Sequence, residues 1–367
     1  QDSRVSRTAV PCRSAGISRL VTSAGPTSSP TARAAASRTT ARHVSCAFIP
    51  SACDFGLPKV EENVPHFPRP DFPYLGRMET RILPADSTGL AEAALLLREG
   101  SVVAFPTETV YGLGGLASQV ETIRAIFSAK GRPATDPLIL HLPDPDLAKA
   151  AVDGWIASPV PSAAIQLAQS FWPGPLTLIL HRGPKVHSEM TAGLDTVAVR
   201  CPSHPTARAL LQELNAPLAA PSANRFGRIS PTDAQAVLEE LAGKIPLILD
   251  GGPCPIGLES TVVHLVSPSP EILRPGAVTP EQIARALGQP PAIRRSTTPR
   301  NHAQTSPGQL PSHYAPQTPL YLCESSLENF HPEAFHLLFH PKTPSPQGNS
   351  VSLGQEGTPD SIARELY

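Results

Sequence analysis

TVAVRCPSHPTARALLQEL, residues 196–214, passes from a strand pattern to a helix pattern within one short stretch and sets the class of the fold. Alternation along TVAVR turns Val197 and Val199 one way and Thr196, Ala198 and Arg200 the other. Residues 204–214 then carry helical apolar spacing. The same succession recurs on both sides. The short runs SVVAF (101–105), LILHL (138–142), LTLIL (176–180), PLILD (246–250) and TVVHLV (261–266) predict strands, and 120–130, 162–171 and 231–242 predict helices. A last helix is marked by Thr279 as N-cap, Pro280 at the first helical position and Gln282 placed to complete a capping box. Residues 78–288 therefore read as one α/β domain with strands and helices in alternation.

The flanks differ in composition. Residues 1–77 open with a stretch rich in Ser, Ala, Thr and Arg in which Asp2 is the sole acid among the first fifty residues, so this extension is expected to be disordered. Met78 stands just before the first patterned segment and is read as a true start, with the residues before it as upstream sequence in preference to an Arg-rich transit peptide. Residues 289–318, rich in Pro, Ser and Thr, read as a linker, and 319–367 as part of a second domain too short to be whole. The 367-residue chain is 40% apolar and 17% charged with a formal net charge of -1, which gives no overall pull toward nucleic acid or an acidic membrane. Its six cysteines show neither CxxC nor zinc spacing, and no apolar run reaches the roughly 18 residues of a membrane span. A cytoplasmic protein with reduced thiols is expected.

Phosphate-loop and dinucleotide-loop patterns are absent, so a nucleotide would have to be held in another way. In AFPTETVYGLGG (104–115), Thr107 and Thr109 fall on one side of an extended backbone, and three glycines allow close approach of a ligand. Lys130 and Arg132 of KGRP sit at a helix C-terminus, where cations are favoured in any case, or else flank a polyphosphate. His141 shares a strand face with Ile139 and reads either as structural or as part of a site. Arg200, ending a core-type strand, needs a carboxylate, which a ligand or a protein Asp or Glu could supply. Ser230 before Pro231 reads as an N-cap or an anion contact.

The order of these pieces is more specific than any one of them. FPTETVYGLG, KGRP with PLILH, FWPGPLTLIL, TAGLDTVAVR, APSANRFGR with SPT, LDGG, GLESTVV and ILRPG follow one another as in YrdC-like threonylcarbamoyl-AMP synthases. SPGQLPSHYAP (306–316) resembles the linker of that family's long, two-domain form. The resemblance implies a twisted open sheet with a concave cavity, followed by a truncated Rossmann-like second domain. It implies synthesis of threonylcarbamoyl-adenylate from L-threonine, bicarbonate and ATP, with pyrophosphate released, for modification of tRNA next to the anticodon.

Carried onto matching positions, the resemblance places Thr109, His141, Arg200, Ala220 and Ser260 around threonine. It places Lys130, Arg132, Asp136, Thr196, Ser222, Asn224, Ser230, Arg274 and Tyr314 around ATP. Mg²⁺ is expected to enter with ATP without protein ligands, no organic cofactor is implied, and the product would pass to the tRNA threonylcarbamoyl transferase machinery. No protein nucleophile is required; Lys130, Arg132 and His141 would position the reactants. Three features depart from the family pattern: Asp136 stands where Asn is common, the residues before HYAP lack the usual basic and aromatic side chains, and the second domain is incomplete. The alternative is a non-catalytic double-stranded RNA-binding module. The linker, through Tyr314, is expected to close over bound ATP.

Overall fold

A computed structural model describes residues 45–48, 79–267, 269–294, 303–306, 320–323, 335–338 and 350–352. The chain divides into two units, one formed by 1–53 with 317–362 and the other by 54–316 with 363–367. Among the described residues, the larger unit contains strands β2 (Arg81–Pro84), β3 (Val103–Phe105), β4 (Gly112–Leu116), β5 (Ile139–His141), β6 (Leu176–His181), β7 (Thr196–Arg200), β8 (Leu218–Ala220), β9 (Leu247–Asp250), β10 (Thr261–His264), β11 (Glu271–Arg274) and β12 (Ala292–Ile293). They form one mixed sheet in the order β12-β11-β10-β6-β7-β5-β8-β4-β3-β9-β2. Its helices are α1 (Ser87–Arg98), α2 (Val120–Lys130), α3 (Leu147–Val152), α4 (Ser162–Phe171), α5 (Pro205–Leu214), α6 (Ala234–Leu241) and α7 (Pro280–Leu287).

Strand alternation decides which side chains meet which helices. Leu138, Leu140, Leu178, Val197 and Val199 join the main core with residues of α2, α3, α4, α6 and α7. On the opposite face Val103, Phe105, Leu247 and Leu249 pack with α1 and α5. That second helical layer stops short. Ile139, Ile179, Ala198, Val262 and Leu273, all from strands, form a separate small cluster on the same face. His141 and Arg200 follow the parity of Ile139 and Ala198, so they rise beside this strand-only cluster.

Several expectations shift in detail. Helix α6 begins at Ala234 with Asp233 as N-cap, its side chain accepting from the Ala236 amide, so Ser230 does not cap it. Thr279 and Gln282 do form the capping box of α7. The segment assigned to a linker is not featureless: Ala292–Ile293 pairs with β11, and the Gln304 amide donates to the Thr135 carbonyl at 2.8 Å with Gln304 and Ser306 fully buried.

The smaller unit contains β1 (Ser45–Phe48), β13 (Leu320–Cys323), β14 (Phe335–Leu338) and β15 (Ser350–Ser352) in the order β13-β1-β14-β15. Strand β1 lies antiparallel between β13 and β14, which corrects the expectation of disorder at those four residues. Two neighbouring strands satisfy its backbone where local composition gave no signal.

Candidate active site

Parallel pairing of β5 and β7 places His141 beside Arg200 at the same register step. The turn after β3 supplies the other side of this corner. Thr109 Oγ1 accepts from Arg200 Nη1 at 2.9 Å and lies 2.9 Å from Thr107 Oγ1; the two hydroxyls meet because Thr107 Oγ1 accepts from the amides of Thr109 and Val110 in a turn, where an extended backbone was expected. Arg200 also donates through Nε to the Gly174 carbonyl at 3.3 Å and pairs through Nη2 with Glu108 Oε1 at 2.7 Å. The second Glu108 oxygen accepts from the Ser203 amide at 3.0 Å. Both side chains of the pair are buried. Burial works to raise the Glu108 pKa, but attraction to Arg200 and these hydrogen bonds outweigh it and hold the carboxyl below its ordinary value.

His141 is buried, edge-on to the Phe105 ring, with Nδ1 3.1 Å from the Ile139 carbonyl. A carbonyl only accepts, so Nδ1 carries the proton and Nε2 keeps its lone pair. Burial, followed by repulsion from Arg200, lowers the pKa of His141 to about 3. The ring is neutral at physiological pH.

Ala220 ends β8 opposite Ile139. Ser260, just before β10, is buried, with its hydroxyl 2.8 Å from Thr177 Oγ1 and accepting from Arg274 Nη2 at 2.9 Å. Arg274, at the end of β11, also donates to the Ser260 carbonyl and pairs with Glu259 at 3.5 Å. Ser230 donates to the other Glu259 oxygen at 2.7 Å. Glu259 thus joins Ser230 and Arg274 to the turn that carries Ser260.

At the end of α2, left-handed Gly131 stops the helix and turns Lys130 inward. Lys130 Nζ donates to the carbonyls of Ser222 and Asn224, and burial, then Arg132, pushes its pKa well down. Ser222 Oγ donates to Asn224 Oδ1, and the Asn224 amide donates to the carbonyls of Arg225 and Arg228, which fixes the turn around Lys130. Arg132 donates to the carbonyls of Asp136 and Pro137 and pairs with Asp136 Oδ1 at 2.9 Å. Asp136 is fully buried, so Arg132 compensates the charge that sets it apart from the common Asn. Thr196 lies at the opposite end of β7 from Arg200, on the same face and about 13 Å along the strand. Tyr314 and the proposed closing segment after Ser306 lie outside the described residues.

Glu108 is the residue that reasoning from sequence passed over. Its signal was an unpaired carboxylate between two threonines, in a segment leading from one buried strand to the next. The partner of Arg200 was open between ligand and protein, and here the protein supplies one.

Residues 95–276 match the family model described as "Telomere recombination", covering Sua5, YciO and YrdC, and residues 278–367 match "Threonylcarbamoyl-AMP synthase, C-terminal domain". A curated relative, the threonylcarbamoyl-AMP synthase of Bacillus subtilis (strain 168), is 48% identical over 240 residues, 65% of this chain and 68% of that protein. This chain belongs to the threonylcarbamoyl-AMP synthase family. The synthase of Pyrococcus abyssi (strain GE5 / Orsay) is 44% identical over 63% of this chain and 67% of its own length. Among solved structures, "P. abyssi Sua5 complexed with L-threonine" superposes with a TM-score of 0.65 at 35% identity, over 79% of this chain and 86% of that one. The two matched models together give the two-domain organisation of the family's long form.

Proposed function

We infer that this chain condenses L-threonine, bicarbonate and ATP into L-threonylcarbamoyladenylate and releases pyrophosphate. The observation that carries the reading is a largely buried cluster of four basic side chains, Lys130, Arg132, Arg200 and Arg274, against the carboxylates of Glu108, Asp136 and the half-buried Glu259, beside a neutral His141. These basic side chains, ringed by the hydroxyls of Thr109, Ser222, Ser230 and Ser260, suit an amino acid that must meet a polyphosphate.

In this reaction the threonine nitrogen captures bicarbonate as a carbamate, whose oxygen attacks the α-phosphorus while pyrophosphate leaves. Arg200 and Thr109 would hold the amino acid, with the Nε2 lone pair of His141 and the Ser260 hydroxyl orienting it. Lys130, Arg132 and Arg274 would offset charge developing on phosphate oxygens, and Ser222, Asn224 and Ser230 would donate to them. His141, with a pKa of about 3, is too weak a base to take a proton at neutral pH, so it acts by position. We assign Mg²⁺ to the phosphates of incoming ATP, whose oxygens suit a hard cation. The product would be consumed by a tRNA threonylcarbamoyl transferase. No helix among the described residues is long and apolar enough to cross a membrane, and we place the reaction in the cytoplasm with its tRNA-directed product.

Incubation with threonine, bicarbonate and labelled ATP should yield both pyrophosphate and the threonylcarbamoyl adenylate. Arg200→Ala should raise the threonine KM far more than the ATP KM, because loss of a charge-assisted fork costs about 1.5–3 kcal/mol. Absence of threonine-dependent pyrophosphate release, or equal losses for both substrates in the variant, would count against the assignment.

A further inference from the structure

Glu108 faces the guanidinium assigned to the substrate carboxylate, and its position raises the question of why a site for an acid should hold an acid of its own. The pair is built rather than incidental. Glu108 Oε1 lies 2.7 Å from Arg200 Nη2, and Oε2 is anchored by the Ser203 amide. The Glu108 carbonyl accepts from the Ile256 amide at 3.0 Å, so backbone and side chain are both fixed. Arg200 in turn donates to the Gly174 carbonyl and the Thr109 hydroxyl and faces Glu108 as an ion pair, so its guanidinium is held from three sides.

The charges around this corner balance. Arg200 carries one positive charge and Glu108 one negative, Arg274 at the Ser260 hydroxyl is paired with Glu259, and Thr109, Ala220 and Ser260 carry none. His141 is held neutral by burial. A net-neutral, dipolar pocket matches a zwitterion, whose own charges cancel. It disfavours an anion lacking the ammonium, because that ligand would leave an uncompensated negative charge beside Glu108 in a poorly solvated corner.

We propose that Glu108 is the residue that makes this site select a zwitterionic amino acid over a simple carboxylate, by neutralising Arg200 and holding its guanidinium in place. The inference rests on the assignment of Arg200 to the threonine carboxylate. Removing the Glu108 charge while keeping its shape should therefore change the preference between ligand charge types as well as the affinity.

The test is calorimetric titration of the full chain and of Glu108→Gln with L-threonine and with 2,3-dihydroxybutanoate, in which a hydroxyl replaces the amine. The ratio of the two affinities should move toward the anion by about tenfold in Glu108→Gln, a readout that general loosening would not shift because it weakens both ligands alike. An unchanged ratio in a folded variant overturns the proposal. Arg200→Ala separates the underlying assignment: if it alters neither ligand's affinity, Arg200 is not the carboxylate site and the premise itself fails. Should Glu108→Gln not fold, the wild-type protein still decides, with threonine amide added as a cationic counterpart. Both single-charge analogues must bind about tenfold or more weakly than threonine, and an anion that binds as well as threonine sinks the idea.

Discussion

At His141 the environment converts an ordinary imidazole into a fixed neutral group, and the consequence is measurable as stability. The unfolded ring titrates near 6.5 and the folded one near 3, so between these values the unfolded chain binds a proton that the folded chain does not. This contribution is present in full above pH 6.5 and is lost as pH falls toward 3, at up to about 1.4 kcal/mol per pH unit. Urea melts of His141→Asn from pH 6.5 down to pH 4 should show a shallower loss than the wild type; parallel curves would mean that the ring is not held neutral. Asp136 makes a second residue-scale case. Its carboxylate is buried against Arg132, which leaves a cation without compensation when the acid is removed. Asp136→Ala should cost about 3–5 kcal/mol in urea melts, and a loss below 1 kcal/mol would argue that the pair is dispensable. Sequence exposed the cations of this site well, since Arg200 ends an otherwise apolar strand and Lys130 with Arg132 close a helix. It named Asp136 without its pairing to Arg132 and passed over Glu108, which lies in a turn whose closure depends on distant segments.

Strands with β-branched or Leu-rich runs were legible as elements: TVAVR is β7 as drawn from alternation, and LTLIL is β6 extended by His181. Strand β4 was not, because GLGGL has neither bulky side chains nor alternation to mark it. Packing explains its composition. A Cβ on Gly115 would lie 2.7 Å from Thr122 Cβ, and one on Gly114 would lie 2.6 Å from the Phe105 ring, so small residues admit α2 on one side and β3 on the other. Strand β8, which no β-branched run marks in the sequence, owes its three-residue pairing to β5 and β4 rather than to propensity. At Gly276, in the ILRPG element, the constraint reaches the site itself. An added Cβ would overlap the Glu259 carbonyl oxygen and sit 2.5 Å from the Thr261 amide nitrogen, pressing on the turn that carries Ser260. Gly276→Ala should therefore displace Ser260 and Glu259 together, lowering kcat/KM for both substrates by tenfold or more and reducing the melting temperature by several degrees. A variant with wild-type kinetics would show that this turn can yield without disturbing the site.

Composition divides the chain into an extension, an α/β domain, a linker and a partial second domain, and at both ends the structure adds contacts that composition does not show. Residues 45–48, inside the extension expected to be disordered, lie between β13 and β14, so deletion of 1–77 takes a central strand from the four-stranded sheet while sparing the eleven-stranded one. No local pattern marks SCAF as a strand, because its partners follow more than 270 residues later, at 320–323 and 335–338. The linker shows the same dependence on distant contacts. Its Pro, Ser and Thr content predicts an unpacked tether, yet the Gln304 amide reaches the carbonyl of Thr135, in the GRPATDP turn where Arg132 holds Asp136. Proline at position 304 deletes that donor without altering any group assigned to either substrate. Because the Thr135 carbonyl lies within the turn between Arg132 and Asp136, freeing it should loosen Arg132 and leave the Glu108, Thr109 and Arg200 corner in place. Gln304→Pro should then raise the ATP KM by about tenfold, with the threonine KM within twofold of wild type, consistent with loss of one hydrogen bond worth about 1 kcal/mol and some added mobility. Steady-state pyrophosphate release at varied concentrations of each substrate separates these values. A change confined to the threonine KM would place the linker against the amino acid instead, and no change in either would make it a tether alone.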